Sequence, residues 1–193
     1  MSVAKEPHPP KSPGDLTRAW MTASTPLTGG DMSDPVSIPT QWNPAYSIGI
    51  VEIDQQHMDL MRHVDTMQDL LAHPKVNHHT IRKTLRTFID HVKSHFQFEE
   101  EFMFLLGYEH YHSHKETHKF LLLQLKRLVE DNQDQVNGAR RIIKFLHNWL
   151  VGHMAVDDRG YASLITQISA EDYRLFLEQL RHKQDQERPE EEA

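Results

Sequence analysis

A chain of 193 residues has room for one ordinary domain with tails, and its net charge of −7 argues against a nucleic-acid binder that works by neutralising phosphates. The absence of cysteine excludes disulfides, thiolate zinc sites and iron–sulfur clusters. No apolar run approaches the ~20 residues of a membrane helix, and no signal-peptide core opens the chain, so a soluble, cytoplasmic protein without membrane insertion is expected.

Residues 1–40 hold seven of the ten prolines, are rich in Ser, Thr and Gly, and show no sustained period, which predicts a flexible tail; Trp20 and Met21 are isolated apolar residues within it. From Pro39 to Gly49, the spacing of Trp42, Tyr46 and Ile48 predicts an extended arm, and Pro44 biases its predecessor away from helix. Asp54 is the expected cap of a first helix that runs to about His73 and stops at Pro74. Its inward series is His57, Leu60, Met61, Val64, Met67 and Leu71, so His57 lies on the apolar stripe.

A second helix is expected from His79-Thr80 to Gly107, with the stripe Ile81, Leu85, Phe88, Val92, His95, Glu99, Phe102 and Leu106. Two polar residues thus interrupt a core face, and an uncompensated carboxylate there would cost several kcal/mol as an order of magnitude. A metal ion is one of the few things that offsets that cost. The third helix, Tyr111 to about Asp131, repeats the pattern: Tyr111, His114, His118, Leu121, Leu125 and Leu128. After a polar turn from Asn132 to Gly138, a fourth helix carries Ile142, Leu146, Trp149 and His153, followed by Asp157 and Asp158. Arg140, Arg141 and Lys144 are most simply its solvated face. Ser169 with Glu171-Asp172 opens an amphipathic fifth segment to about Lys183, built on Tyr173, Phe176, Leu177 and Leu180. Short connections make consecutive helices antiparallel neighbours. The predicted fold is all-α: an antiparallel up-down four-helix bundle over 41–163, with an N-terminal arm, an additional C-terminal helix over 164–186 and an acidic disordered tail over 187–193.

Fifteen histidines are many for this length, but spacing rather than number points to a site. His95-xxx-Glu99 and His114-xxx-His118 each place two side chains one turn apart on one helix face. His57 adds a donor upstream, and His153 with an aspartate adds more downstream. Five histidines and two carboxylates are too many ligands for one ion and suit two ions bridged by carboxylates, Glu99 being well placed to bridge. Imidazole suits iron, copper, zinc or nickel; a structural zinc site is usually closed by four ligands. On spacing alone Asp157, four residues after His153, is better placed than Asp158, which lies about 140° around a regular helix.

The run Trp42…Tyr46-Ser-Ile-Gly-Ile-Val-Glu-Ile-Asp54-Gln-Gln-His57 resembles the opening of the hemerythrin family, particularly its bacterial members. His95-xxx-Glu99, His114-xxx-His118, His153-xxxx-Asp158 and Asp158-Arg-Gly-Tyr161 match the family's remaining motifs in order, so the resemblance covers roughly residues 42 to 161. Glu109 departs from it, standing where the family often has a proline. The resemblance implies a non-haem di-iron site that binds O2 reversibly. On that pattern His114, His118 and His153 ligate one iron, His57 and His95 the other, and Glu99 and Asp158 bridge them together with a solvent-derived oxo or hydroxo group. It selects Asp158 over Asp157, which requires local unwinding or a bulge after His153. By family position, Leu60, Phe96, Trp149 and Met154 form an apolar wall.

The leading function is therefore an O2 carrier, store or delivery module rather than an enzyme, with O2 as its ligand and the chain a monomer. A sensor that reports O2 or iron occupancy to a protein partner is the second reading. A di-iron peroxidase, oxidase or nitric-oxide-handling enzyme is the third, although no acid–base residue beyond the ligands is visible for it.

Overall fold

Four long helices carry the core: α1 (Val51–Ala72), α2 (His78–Leu105), α3 (Tyr111–Asp131) and α4 (Val136–Gly152). The computed structural model describes residues 42–73, 77–131 and 136–187, and within them all regular structure is helical. The tail predicted over 1–40, the Pro74 stop, most of the Asn132–Gly138 turn and the acidic tail beyond Glu187 lie outside the described residues. α1 packs on α2 and α4, and α3 also packs on α2 and α4, so each helix touches two others. No described helix is long and apolar enough to cross a membrane.

The helix ends follow local chemistry. The Asn77 side chain accepts the Thr80 N–H at 2.8 Å and caps α2. At the other end Gly107, with φ +63°, allows Tyr108 N–H to reach the Met103 carbonyl and Gly107 N–H the Phe104 carbonyl, satisfying carbonyls the helix leaves open. The start of α1 departs from the sequence expectation. Asp54 is not the cap but sits inside the first turn, where its carboxylate reaches backwards to accept from Ile48 N–H at 2.9 Å and Ser47 Oγ at 2.6 Å. The helix begins a turn earlier because Gly49, at φ +81°, reverses the chain just before it, and Asp54 fastens that reversal down. Upstream, where an extended arm was expected, Pro44–Tyr46 instead forms a single 3₁₀ turn, started by Asn43 Oδ1 accepting the Ala45 N–H, with Trp42 and Tyr46 against the core.

Two apolar clusters fill the interior. The larger runs along the bundle through Leu60, Val64, Phe88, Phe96, Leu121, Leu125, Ile142 and Leu146. The smaller joins Ile50, Ile53, Phe98, Phe102, Met103 and Tyr161 to a further helix, α5 (Ala170–Glu187). Ser169 opens α5 by accepting the Asp172 N–H at 3.1 Å. Leu180 is buried against the bundle, Phe176 meets the Phe102 ring edge-on at 5.0 Å, and Tyr173 donates to Glu52 at 2.8 Å.

Candidate metal centre

α1, α2, α3 and the segment that follows α4 each supply polar residues to one point between the two apolar clusters. The stripe positions that put His57, His95, Glu99, His114, His118 and His153 on core faces leave all of them buried, and Asp158 joins them with no exposure. Two overlapping groups result, His57–His95–Glu99 and Glu99–His114–His118–His153, each with candidate ligand atoms within 4.8 Å of one another. Glu99 is common to both.

The carboxylates face both sides. Asp158 Oδ2 lies 3.3 Å from His57 Nε2, while its Oδ1 lies 3.4 Å from His114 Nε2 and 3.0 Å from His153 Nε2. Glu99 Oε2 lies 3.5 Å from His95 Nε2 and 3.3 Å from His118 Nε2. Asp158 gets there because the chain changes pitch. Residues His153–Asp157 form a π-turn, in which Asp158 N–H bonds the His153 carbonyl at 3.2 Å. With five residues between bonded groups, the fifth residue after His153 returns to its face, and Asp157, the fourth, does not. Asp157, also buried, lies behind the His153 ring and accepts from its Nδ1 at 3.1 Å.

Two further histidines have such partners, and motif spacing does not reveal them. His95 Nδ1 lies 3.0 Å from Gln56 Oε1, and His118 Nδ1 lies 3.2 Å from Glu100 Oε1. Lys115 supports Glu100 at 2.6 Å. An amide or carboxylate oxygen at Nδ1 selects the tautomer with the proton there and leaves Nε2 as a bare lone pair facing inward. Tyr161, fully buried, donates its hydroxyl to Glu99 Oε1. Of these partners, Tyr161 carried a sequence signal through the Asp-Arg-Gly-Tyr motif and Asp157 through its spacing from His153.

The donor set fits a cation. His118 Nε2 lies 3.1 Å from His114 Nε2 and 3.0 Å from His153 Nε2, so ring nitrogens from two segments converge on one point. Both ring nitrogens of His57, His95 Nε2, Glu99 Oε2 and both Asp158 oxygens are buried and make no hydrogen bond. Polar groups buried in this way are costly unless something positive meets them.

The electrostatics agree. Burial pulls the His95 imidazole well below its usual range, Glu99 only partly opposing, and burial with His153 and His118 does the same to His114. Burial would raise the Glu99 carboxyl, yet His95, His118 and His153 hold it well below. Burial would lower His153, but Asp158, Asp157 and Glu99 outweigh it and hold that imidazole well above. Burial and the neighbouring Glu99 raise Asp158. The charge spread over His153, Glu99 and Asp158 is the kind that divalent ions replace.

Around the centre, Phe96 stacks on His118 at 3.8 Å, Trp149 stacks on His153 at 4.3 Å, and Leu60 and Met154 are buried in the same cluster. These four are the residues expected as an apolar wall. His110 and His112 are exposed, away from the cluster.

Comparison with known proteins bears on this geometry. The family model described as the hemerythrin HHE cation binding domain matches residues 48–165. A bacteriohemerythrin of Pseudomonas paraeruginosa is 27% identical over 136 residues, 67% of this chain and 84% of the relative. A bacteriohemerythrin of Stenotrophomonas maltophilia is 28% identical over 127 residues, 64% of this chain and 80% of the relative. A hemerythrin-like protein of Naegleria gruberi is 23% identical over 134 residues, 69% of this chain and the whole of the relative. No solved structure matches.

Proposed function

We propose, from the premise that this chain belongs to the hemerythrin family, that it holds two non-haem iron ions and binds O2 reversibly at them. The carrying observation is the placement of Asp158, whose two oxygens address His57 on one side and His114 with His153 on the other. A carboxylate so placed could hold two ions at once. His114, His118 and His153 would hold one ion, His57 and His95 the other, with Glu99 the second bridge. The helices are then an antiparallel up-down bundle, with the described residues ahead of α1 as its arm and α5 as an added cover.

Such a ferrous pair, when bound, would supply the two electrons that O2 takes up on binding and returns on release. The chain's own residues set the conditions. Gln56, Glu100 and Asp157 fix the rings of His95, His118 and His153 so that Nε2 faces inward. Tyr161 holds Glu99 in register by its hydroxyl. Phe96, Trp149, Leu60 and Met154 exclude water from the imidazoles. Five neutral imidazoles against two carboxylates leave the pair more positive than a carboxylate-rich site would, which favours the ferrous state over oxidation chemistry. This supports binding rather than catalysis.

Sensing is the second reading, and one contact line favours it: Phe176 of α5 meets Phe102, Phe102 meets Tyr161, and Tyr161 meets Glu99. The test is to load the protein with ferrous iron without O2, then admit and remove O2 while recording iron content and the visible spectrum. Two irons per chain and a band that appears and reverses with O2 are expected. Irreversible conversion to a ferric form would overturn reversible binding, and failure to hold two irons would overturn the di-iron centre.

A further inference from the structure

The candidate centre is buried on every side, so any ion it holds must pass through the bundle wall. Between α1 and α2 a cavity of about 140 Å³ leads inward to that wall, lined by Gln56, Asp59, Leu60, His91, Ser94 and His95. Of its lining, Leu60 and His95 are buried, and the Gln56 amide oxygen lies 3.0 Å from His95 Nδ1. Its rim carries metal-type donors. His91 is exposed and stands one turn before His95 on α2, which itself stands one turn before Glu99; imidazole, imidazole and carboxylate thus follow one helix face from solvent to centre. Asp59, half-exposed, stands opposite on α1, and the bonds from Gln55 and Arg62 both fall on its Oδ1. One turn on from Asp59, the His63 ring meets His91 edge-on at 4.4 Å.

We propose that this groove is the port through which ferrous iron reaches the centre, with Asp59 and His91 as capture ligands and Gln56–His95 as the gate. Resting on the di-iron reading above, the inference adds a route that the centre itself does not specify. A hydrated ferrous ion exchanges waters for the Asp59 carboxylate and the His91 imidazole at the rim. Rotation of the Gln56 amide frees the His95 ring to turn outward, collect the ion and carry it in. No covalent bond or electron is exchanged in this transfer; only water ligands are replaced. Neither Asp59 nor His91 belongs to the centre, so their loss should change the rate of loading and leave its end point alone.

The test mixes metal-free protein with ferrous iron under anaerobic conditions and follows both the uptake rate and the final iron content. An Asp59→Asn, His91→Gln double variant is expected to load about tenfold more slowly, in the range that local charge contributes to association, with the same final content as the parent. Glu130→Gln on α3 removes one carboxylate from another exposed ion pair, with Lys126, and should load at the parental rate. A double variant that loads as fast as the parent overturns the port, as does one whose final content falls while its rate holds. A parent chain that takes up no iron overturns the di-iron reading instead, and the two failures are told apart by that single value.

Discussion

Asp157 and Asp158 are chemically identical neighbours, and one extra backbone residue in the turn before them decides which faces the histidines. That assignment is open to direct test. Asp158→Asn removes a negative charge from between the two histidine groups and is expected to leave fewer than two irons per chain. Asp157→Asn keeps an oxygen opposite His153 Nδ1, and should retain two irons with affinity lowered by about 10–100-fold, the usual effect of disturbing a partner behind a metal ligand. Iron content after gel filtration, followed by competition with a chelator, separates the two; equal iron loss in both variants would contradict the assignment. The same pair shows what residue-level patterning can reveal. Spacing on a regular helix favours Asp157, because four residues is close to a full turn. Family resemblance favours Asp158, and the π-turn supplies the physical reason. Gln56 and Glu100 could not be found by spacing, because each meets a histidine on a different helix.

At the scale of elements, the apolar stripes were legible because each core face is broken by polar residues in so few places. His95 and Glu99 interrupt α2 once, and His114 and His118 interrupt α3 once, so the stripes show both the helix and its exception. The start of α1 was less legible, since an aspartate near a helix start reads as its cap whether it faces forward or, as Asp54 does here, backward to Ile48 and Gly49. How α5 seats was not legible either: its amphipathic face shows that it packs, not that Leu180 buries in the cluster containing Phe102 and Tyr161. Leu180→Ala should cost about 2–5 kcal/mol in chemical denaturation; a loss below about 0.5 kcal/mol, the scale of surface changes, would mean α5 is not seated there in solution. On the outer part of α1, burial and the like charge of Asp69 raise the Asp65 carboxyl, with His147 opposing. A raised folded-state pKa means the ionised form is penalised in the folded protein. The penalty is present above that pKa and vanishes as pH falls below the unfolded value. Asp65→Asn is therefore expected to stabilise at neutral pH by roughly 0.2–0.5 kcal/mol, the scale of an i,i+4 like-charge pair, and to make no difference below the carboxylate range. Paired denaturation curves at neutral and acid pH check the sign.

For the whole molecule, the polar centre divides the interior into the long bundle core and the smaller cluster under α5. Without an ion, the bare nitrogens and oxygens of His57, His95, Glu99 and Asp158 weaken the join between these two apolar bodies. An ion bound there stabilises only the folded chain, because the unfolded chain does not bring donors from α1, α2, α3 and the α4–π-turn segment together. At free metal about a thousandfold above the dissociation constant, that linkage is worth about 4 kcal/mol. For a chain of this size each kcal/mol moves the midpoint by about 2–4 °C, so loading should raise it by roughly 8–16 °C. Anaerobic calorimetry with ferrous iron measures this, with magnesium as the control, since an imidazole-rich donor set should pass over that harder ion. Equal shifts with both ions would mean that binding is spread over surface carboxylates, and the buried cluster would lose its claim to the metal. A large shift with iron alone, abolished by His118→Ala, would place the stabilisation where Glu99 and His153 meet His118. Because α5 reaches that point through Phe102 and Tyr161, the same loading should also raise the cooperativity with which α5 and the bundle unfold. A loaded protein whose α5 still melts separately would show that the aromatic contacts do not carry the coupling.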